Sequence, residues 1–289
     1  MKEDMKLLDG KTAVITGSSR GLGFAIAEAF AEQGANVVLA ARTEETLHLA
    51  VTELRKKGYR AEGFVCDTAK LDDVEHLAQG AVTAFGRIDI WVNNAGIGAP
   101  YGITMSISPE RIKKVIDTNI LGVYYGSHAA MRQFLGQGSG KLINLLGRGD
   151  SMPVPYQNPY ASSKAWVRSF TRTLAKEYEG SGVEVMAINP GLVITEMLTQ
   201  VDAVDGFEKK VLPLNTIIRL WGNLPGVPAQ KVVWMASSAT DGKNGLMVNF
   251  LSFGRMVAGA GRELWRIITR GPVTTPTIQV RVVECQETC

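Results

Sequence analysis

The chain has 289 residues, 45% of them hydrophobic, which is enough for one sizeable core, and its formal net charge of +3 is scattered along the sequence. The scattered charge argues against a nucleic-acid surface, and no apolar run approaches the roughly 20 residues of a membrane span. Cys66, Cys285 and Cys289 form no disulfide framework and suit a reducing compartment, while residues 1–10 lack the apolar stretch of a signal peptide. We expect a soluble, cytoplasmic protein.

The first half of the chain alternates short β-rich runs with longer amphipathic segments that end at glycines. Strands are predicted at 12–16, 36–41, 61–66 and 88–92, and helices at 24–33, 44–57 and 71–85. This rhythm, with its short glycine-marked turns, indicates an α/β protein whose parallel sheet is covered on both faces.

The second half continues the alternation up to about residue 250. Helices are predicted at 109–134, 158–178 and 229–237, and strands at 140–146, 183–189 and 245–250. Residues 191–226 read as an irregular excursion, and its apolar members are Met197, Leu198, Phe207, Leu212, Leu214 and Trp221. So long an excursion is typical of a lid or binding segment, and these residues would cover a hydrophobic substrate.

No repeat, low-complexity block or linker divides the chain. We predict one nucleotide-binding domain over residues 1–253, followed by a C-terminal extension over 254–289 that has no clear periodicity. The three histidines, His48, His76 and His128, lack ligand spacing, so no metal site is predicted.

The first predicted strand runs into a glycine-rich turn and then a helix. The turn reads Gly17-Ser18-Ser19-Arg20-Gly21-Leu22-Gly23. Glycines permit a tight turn and let the backbone approach a pyrophosphate, while the helix N-terminus offers free N–H groups. A glycine triplet alone could merely end a strand, but this one opens a βαβ unit near the N-terminus.

The second strand indicates which dinucleotide is bound. A chain that selects NAD usually ends this strand with a carboxylate for the ribose 2′-hydroxyl, whereas here it ends Ala40-Ala41-Arg42. Arg42 and Arg20 could both reach a 2′-phosphate, which matches guanidinium geometry. The alternative is that both arginines are solvated surface charges. NADP(H) is the predicted cofactor.

Three motifs together resemble the classical short-chain dehydrogenase/reductase family. They are the turn from Thr16 to Gly23, then Asn93-Asn94-Ala95-Gly96, and then Tyr160-Ala161-Ser162-Ser163-Lys164, in the order of the family. The resemblance covers about residues 8–250. It implies a doubly wound Rossmann sheet of order 3-2-1-4-5-6-7 with the site at the carboxyl ends of the strands.

The resemblance also implies the cofactor contacts. Asp67 resembles the adenine contact, Asn94 to Gly96 resemble the ribose stretch, and Thr195 after the Pro-Gly segment resembles the carboxamide ligand. The full set of predicted cofactor residues is Gly17, Ser19, Arg20, Gly21, Leu22, Gly23, Arg42, Asp67, Asn94, Ala95, Gly96, Tyr160, Lys164, Pro190, Gly191 and Thr195.

The predicted catalytic residues are Tyr160, Lys164 and Asn119. Tyr160 can protonate a carbonyl oxygen, but an unperturbed phenol with a pKa near 10 is a poor acid–base group at neutral pH. Lys164 lies four residues further, on the same helix face, where its charge would lower that pKa. The resemblance adds that Lys164 binds the nicotinamide ribose and that Asn119 supports the proton relay; Asn119 could instead only bond a neighbouring strand.

The sequence departs from the family at the usual catalytic serine, whose position falls on Gly147. The missing hydroxyl can be worth 10²–10³ in rate. Ser151, or Arg148 with Asp150, could replace it from a rearranged loop. Alternatively, the substrate brings the donor or the reaction differs, or the protein binds NADP(H) without turnover.

We therefore predict an NADP(H)-dependent oxidoreductase that interconverts a carbonyl and an alcohol on a hydrophobic small molecule. The alternative is a catalytically silent NADP(H)-binding protein. The resemblance implies a homodimer or homotetramer formed through the helices at 109–134 and 158–178, and the C-terminal extension could join that interface or cover a neighbouring site. The substrate, the direction and the stereochemistry are not specified by the sequence.

Overall fold

The centre of the molecule is a seven-stranded sheet, in a computed structural model that describes residues 6–251, 253–269, 272 and 275–284. The strands are β1 (Thr12–Thr16), β2 (Asn36–Ala41), β3 (Ala61–Val65), β4 (Ile90–Asn93), β5 (Gly140–Leu145), β6 (Val183–Asn189), β7 (Leu192–Val193), β8 (Gln200–Val204), β9 (Gly222–Asn223), β10 (Met247–Asn249) and β11 (Gln279–Val283). The sheet order is β3-β2-β1-β4-β5-β6-β10 with every pairing parallel. The predicted doubly wound order is confirmed.

Helices cover both faces of this sheet. They are α1 (Gly21–Glu32), α2 (Glu44–Lys56), α3 (Leu71–Phe85), α4 (Pro109–Ile116), α5 (Gly122–Gln137), α6 (Asn158–Glu177), α7 (Glu196–Thr199), α8 (Pro213–Trp221), α9 (Gly226–Ala236) and α10 (Phe253–Thr269). Phe30 of α1 packs in the core on one face, and Phe134 of α5 packs in the core on the other. β1, β2 and β5 are buried along their whole length, and the interiors of β1 and β2 read as continuous apolar runs.

The predicted helix over 109–134 is divided in the structure. A π-helical turn at Asp117–Leu121 joins α4 to α5. The side chain of Asn119 in this turn bonds both backbone groups of Ile97, which draws the turn toward the end of β4. One extra residue in a turn leaves the apolar spacing almost unchanged, so the sequence shows a single helix.

The prediction that residues 191–226 are irregular was wrong. We call residues 192–223 the lid; it contains α7, β8 and α8, and β7 pairs with β9 across its ends. Its own apolar core includes Val211, Leu214 and Ile218. Leu214 is therefore an internal residue of the lid and not a substrate-facing one, whereas Leu212 is exposed. Strands this short depend on their partners, which local pattern does not reveal.

The C-terminal extension completes the lid of the same chain. β11 pairs in parallel with β8, from Gln279 opposite Gln200 to Val283 opposite Val204. α10 packs on α8, where Glu263 accepts from Arg219 at 3.2 Å and Trp221 donates to the carbonyl of Met256 at 3.1 Å. The extension thus packs against the segment between β6 and α9; Cys285 and Cys289 lie outside the described residues.

The described residues contain neither a membrane-spanning helix nor a cluster of metal ligands. None of their helices combines the length and apolar character needed to cross a membrane. No group of three or more histidine, cysteine, aspartate or glutamate side chains in this part of the chain is arranged to hold a metal ion.

Candidate active site

The glycine turn after β1 is held in a geometry that excludes larger residues. Gly17 has a φ of +63°, and a Cβ there would lie 2.8 Å from the Cα of Ala95. A Cβ on Gly23 would overlap the carbonyl oxygen of Gly17. No side chain caps α1 at its first residue, Gly21, so the amides of its first turn can bind an anion. The turn fits the pyrophosphate of a dinucleotide.

The end of β4 is fastened to this turn by Asn94. Its side-chain amide donates to the carbonyl oxygens of Thr16 at 2.9 Å and Gly17 at 3.0 Å. The backbone amides of Asn94 and Ala95 donate to Oγ1 of Thr16 at 3.1 and 3.0 Å. Asn94 therefore holds the glycine turn with its side chain, and only the backbone of this stretch remains for a ribose.

The residues predicted to bind the adenosine half follow β1, β2 and β3. Arg20 is ion-paired with Glu196 of α7, and both side chains are mostly exposed. Arg42 is exposed at the end of β2 and makes no ion pair within the described part of the chain. Asp67 accepts from the backbone amide of Ala69 at 3.1 Å. An unpaired guanidinium thus stands where dinucleotide folds recognise the adenosine ribose.

The Pro-Gly segment after β6 faces the glycine turn across the cleft. Gly191 has a φ of +72°, and its amide donates to Oδ1 of Asn189 at 3.0 Å. The Cγ2 of Thr195 lies 3.3 Å from the position of a Cβ on Gly21. The remaining predicted cofactor residues of the two segments are the half-buried Ser19 and Leu22 and the buried Pro190.

Tyr160 lies in the first turn of α6 with its hydroxyl against the backbone of Gly147. A Cβ on Gly147 would overlap this hydroxyl. Burial, together with the nearby Tyr101 and Asp150, raises the pKa of Tyr160 to about 12. The direction is opposite to the lowering expected from a neighbouring ammonium, so Tyr160 is a protonated donor at neutral pH.

Lys164 lies one turn further along α6, and only 4% of it is exposed. Its Nζ donates to the carbonyl of Leu145 at 2.9 Å and lies 5.7 Å from the centre of the Tyr160 ring. A Cβ on Gly96 would lie 3.7 Å from this Nζ, so the ammonium borders the predicted ribose stretch. Burial lowers the pKa of Lys164 to about 8.

We expect this burial to make the stability of the protein depend on pH through Lys164. Its pKa is lower in the folded than in the unfolded chain, so stability is reduced below pH 8 and recovers as the pH rises from about 8 to 10.5. Relative to Lys164→Met, the wild type should gain about 2–3 kcal/mol over this window in denaturant titrations. Lys176→Met, at an exposed position of the same helix, serves as the control. A constant difference between wild type and Lys164→Met would contradict the expectation.

Asn119 is fully buried and its side-chain amide is already occupied. Its Oδ1 accepts from the amide of Ile97 at 2.8 Å, and its Nδ2 donates to the Ile97 carbonyl at 3.0 Å and to Oγ of Ser163 at 3.1 Å. The bond to Ser163 ties the π-helical turn to α6, between Tyr160 and Lys164. In this structure both Nδ2 protons of Asn119 are used within the protein, and the second lone pair of Oδ1 is the one position that its side chain has left for a water.

Two of the candidate replacements for the serine, Asp150 and Ser151, are bonded to groups other than Tyr160. Asp150 is buried, pairs with Arg168 at 2.8 Å and accepts from Nδ2 of Asn189 at 3.2 Å. Ser151 is exposed and donates to Asp150 at 3.3 Å. Both polar groups are turned toward the outer side of α6, where they line an open groove with Arg168.

Tyr101 is a neighbour of Tyr160 that sequence reasoning missed. It is 7% exposed; burial raises its pKa, and hydrogen bonding from Arg148 and Gln157 works in the opposite direction. Its backbone bridges to Ala203 of β8, which connects the site to the lid. Tyr101 lies in a loop after the Asn-Asn-Ala-Gly motif, and no sequence spacing relates it to Tyr160.

A buried polar network below the site was also missed. Asn93 donates to Oδ1 of Asn144 at 2.9 Å and to Oγ of Ser127 at 3.1 Å, while it accepts from Nε1 of Trp91 at 2.8 Å. Asn144 donates in turn to Oγ1 of Thr171 on α6 at 2.9 Å. Such a satisfied network fixes the relative positions of β4, β5, α5 and α6.

The glycine turn on a doubly wound sheet, with a tyrosine and a lysine from one helix at the same edge, defines a dinucleotide-dependent oxidoreductase of the Rossmann type. The family model of the short chain dehydrogenases matches residues 11–205. The chain belongs to this family.

Relatives and solved structures agree with the family. A diacetyl reductase [(S)-acetoin forming] of Staphylococcus epidermidis is 42% identical over 193 residues, which cover 66% of this chain and 75% of that protein. A 3-ketoacyl-(acyl-carrier-protein) reductase from Brucella melitensis complexed with NADH superposes with a TM-score of 0.76 at 29% identity, covering 86% of this chain and 99% of the other.

A further solved structure carries the phosphorylated cofactor. The gluconate 5-dehydrogenase from Burkholderia cenocepacia, in complex with NADP and tartrate, has a TM-score of 0.76 at 27% identity and covers 88% of this chain and 98% of the other. The structural relatives thus bind nicotinamide dinucleotides with and without the 2′-phosphate, and the likeness does not choose between the two.

Proposed function

We propose that this protein is an NADP(H)-dependent oxidoreductase that interconverts a carbonyl and an alcohol on a hydrophobic small molecule. The observation that carries the proposal is the meeting of Tyr160 and Lys164 beside the glycine turn, with Asn119 bonded to the same helix. The membership of the family supports the reaction type, and the diacetyl reductase supports a small carbonyl substrate.

Each residue has a defined part in the reduction of a carbonyl. NADPH bound in the cleft would supply the hydride to the carbonyl carbon. Tyr160 donates its proton to the carbonyl oxygen, and the buried ammonium of Lys164 stabilises the phenolate that this leaves. Lys164 would also bind the ribose hydroxyls of the cofactor, since its Nζ borders Gly96. Asn119 keeps α6 in register with the end of β4.

The preference for NADP(H) rests on Arg42. We expect Arg42→Ala to raise the Kd of NADPH at least about tenfold and to leave the Kd of NADH within about twofold, because a guanidinium pairs with the 2′-phosphate that NADH lacks. Fluorescence titration measures both constants. Arg132→Ala, at an exposed position on α5, is the matched control. Equal losses for the two cofactors would contradict the proposed preference.

The apolar residues of the lid favour the proposal of a hydrophobic substrate. Its apolar core reaches Tyr101, which is near Tyr160, and includes the partly buried Tyr156 and Ile194. Tyr156 has a φ of +66°, an unfavourable conformation for a bulky residue that the surrounding packing must stabilise. An apolar wall beside the proton donor suits a ketone or alcohol with aliphatic or aromatic substituents.

The test is NADPH oxidation by the purified protein across a panel of hydrophobic ketones, quinones and enones. Turnover of any carbonyl compound supports the proposal. If NADPH binds while the whole panel remains unreduced, the result favours a second candidate function, that of an NADP(H)-binding protein without turnover. That candidate is favoured by the raised pKa of Tyr160 and by Gly147, which supplies no hydroxyl.

Self-association remains a prediction for the outer faces of α5 and α6. Tyr124 of α5 is 46% exposed and packs edge-on against Phe170 of α6, with ring centres 6.3 Å apart. Leu135 is also 42% exposed. An apolar surface formed by two adjacent helices suits a second copy of the chain, which light scattering after gel filtration would detect.

A further inference from the structure

The backbone conformation at position 147 does not require a glycine. It is buried at the end of β5, and its φ lies outside the positive range that L side chains rarely adopt. A Cβ at this position would overlap the Tyr160 hydroxyl and lie 3.2 Å from Cζ of the same ring. The third neighbour is Cγ of Lys164 at 3.5 Å. The proton donor itself therefore occupies the space that a side chain would need.

Hydrogen bonds hold the loop at Gly147 beside α6. The carbonyl of Gly147 accepts from Nδ2 of Asn189 at 3.1 Å and from the amide of Asp150 at 3.2 Å. Gly149 has a φ of +96°, and a Cβ there would lie 2.6 Å from Cα of Ala161, so this residue also lies flat against the helix. A side chain at 147 must therefore displace Tyr160 and not the loop.

We infer that Gly147 is a positioning residue, whose missing side chain lets the Tyr160 hydroxyl seat directly against the end of β5. Within the described part of the chain no hydrogen bond reaches this hydroxyl, so packing alone fixes its position. The substrate oxygen must approach Tyr160 at this deeper position. A serine placed at 147 therefore does not restore the family arrangement but pushes the proton donor out of place.

The steric part of this inference is independent of the reaction, whereas its catalytic part rests on the proposed function. The first arm of the test is a double-mutant cycle on thermal unfolding, with Gly147→Ala, Tyr160→Phe and the double variant. Overpacking should lower the Tm by about 4–8 °C for Gly147→Ala and Gly147→Ser. In the Tyr160→Phe background the same alanine should cost less than half as much, because the overlapping oxygen is gone.

Gly98→Ala is the matched control of this cycle. Gly98 is an exposed loop glycine without a positive φ, and a Cβ there would meet nothing within 4 Å. Its alanine variant should keep the Tm within about 1 °C. An equal loss for Gly147→Ala in both backgrounds, or no loss in either, would overturn the inference.

The second arm measures activity with any carbonyl compound that the wild type reduces. Gly147→Ser should lower kcat at least about tenfold while the Kd of NADPH stays within about threefold, because only the proton donor is displaced. A higher kcat for Gly147→Ser would overturn the catalytic part and show a serine site that is merely incomplete. A wild type without turnover would contradict the proposed function instead. The unfolding cycle would still test whether the Tyr160 hydroxyl occupies the space beside Gly147.

Discussion

Tyr160→Phe is expected to lower kcat for carbonyl reduction by about 10²–10⁴-fold and to leave the Kd of NADPH within about threefold. The variant removes one oxygen from a ring that stays packed in the first turn of α6, so the cleft keeps its shape. The loss has this size because proton transfer by a positioned side chain contributes about that much to the rate. Stopped-flow NADPH oxidation and fluorescence titration give the two values.

The raised pKa of Tyr160 in the free protein opposes its role as a proton donor. A phenol with a pKa of about 12 is a weak acid, so the binding of cofactor and substrate must bring it closer to neutral for efficient transfer. Tyr59→Phe, a tyrosine packed against the opposite region of the core, should keep full activity and serves as the control. If Tyr160→Phe also keeps full activity, another group donates the proton and the assigned chemistry is wrong.

Gly23→Ala is expected to raise the Kd of NADPH at least about 100-fold. The added Cβ would overlap the carbonyl oxygen of Gly17 and lie 2.5 Å from Nδ2 of Asn94, so it strikes the turn and the side chain that holds the turn. The first neighbour is backbone and the second is held by two hydrogen bonds, so the first turn of α1 must shift away from the anion site.

Gly136→Ala provides the matched control for this effect. Gly136 also lies in a helix, α5, but a Cβ there meets nothing within 4 Å. Alanine should stabilise that helix by about 0.5–1 kcal/mol and leave cofactor binding unchanged. Unchanged NADPH binding by Gly23→Ala would mean that the cofactor does not lie on the glycine turn.

The order of the central sheet and the residues at its carboxyl edge can be predicted from the sequence. The apolar runs of β1 and β2, separated by glycine-marked turns, predict a parallel order that the structure confirms. The sequence also brings Tyr160 and Lys164 to one helix face, as their spacing of four residues requires. These features depend on local periodicity and on motifs whose members are close in the chain.

The features that could not be predicted depend on contacts between distant residues. The π-helical turn exists because Asn119 bonds Ile97, 22 positions away. The lid strand β8 pairs with β11, which is almost 80 residues further along the chain. Local sequence pattern indicates neither of these partners.

Gly147 illustrates the same limit at the site itself. The sequence shows that the serine is missing, and it suggests that Ser151, or Arg148 with Asp150, could replace it. In the structure Ser151 and Asp150 line the outer side of α6, and the Tyr160 hydroxyl lies in the space that the serine would need. A motif records which residue is absent, but only packing shows what fills the space.

The most direct test of the whole account is hydride transfer from labelled cofactor. NADPH deuterated at C4, supplied separately as each of the two stereoisomers, is incubated with the wild-type protein and each carbonyl compound of the panel. We predict that mass spectrometry finds one deuterium on the carbinol carbon of the product with one stereoisomer only. Product without deuterium from either stereoisomer, or no product although NADPH is bound, would contradict the assignment of this chain as a carbonyl reductase.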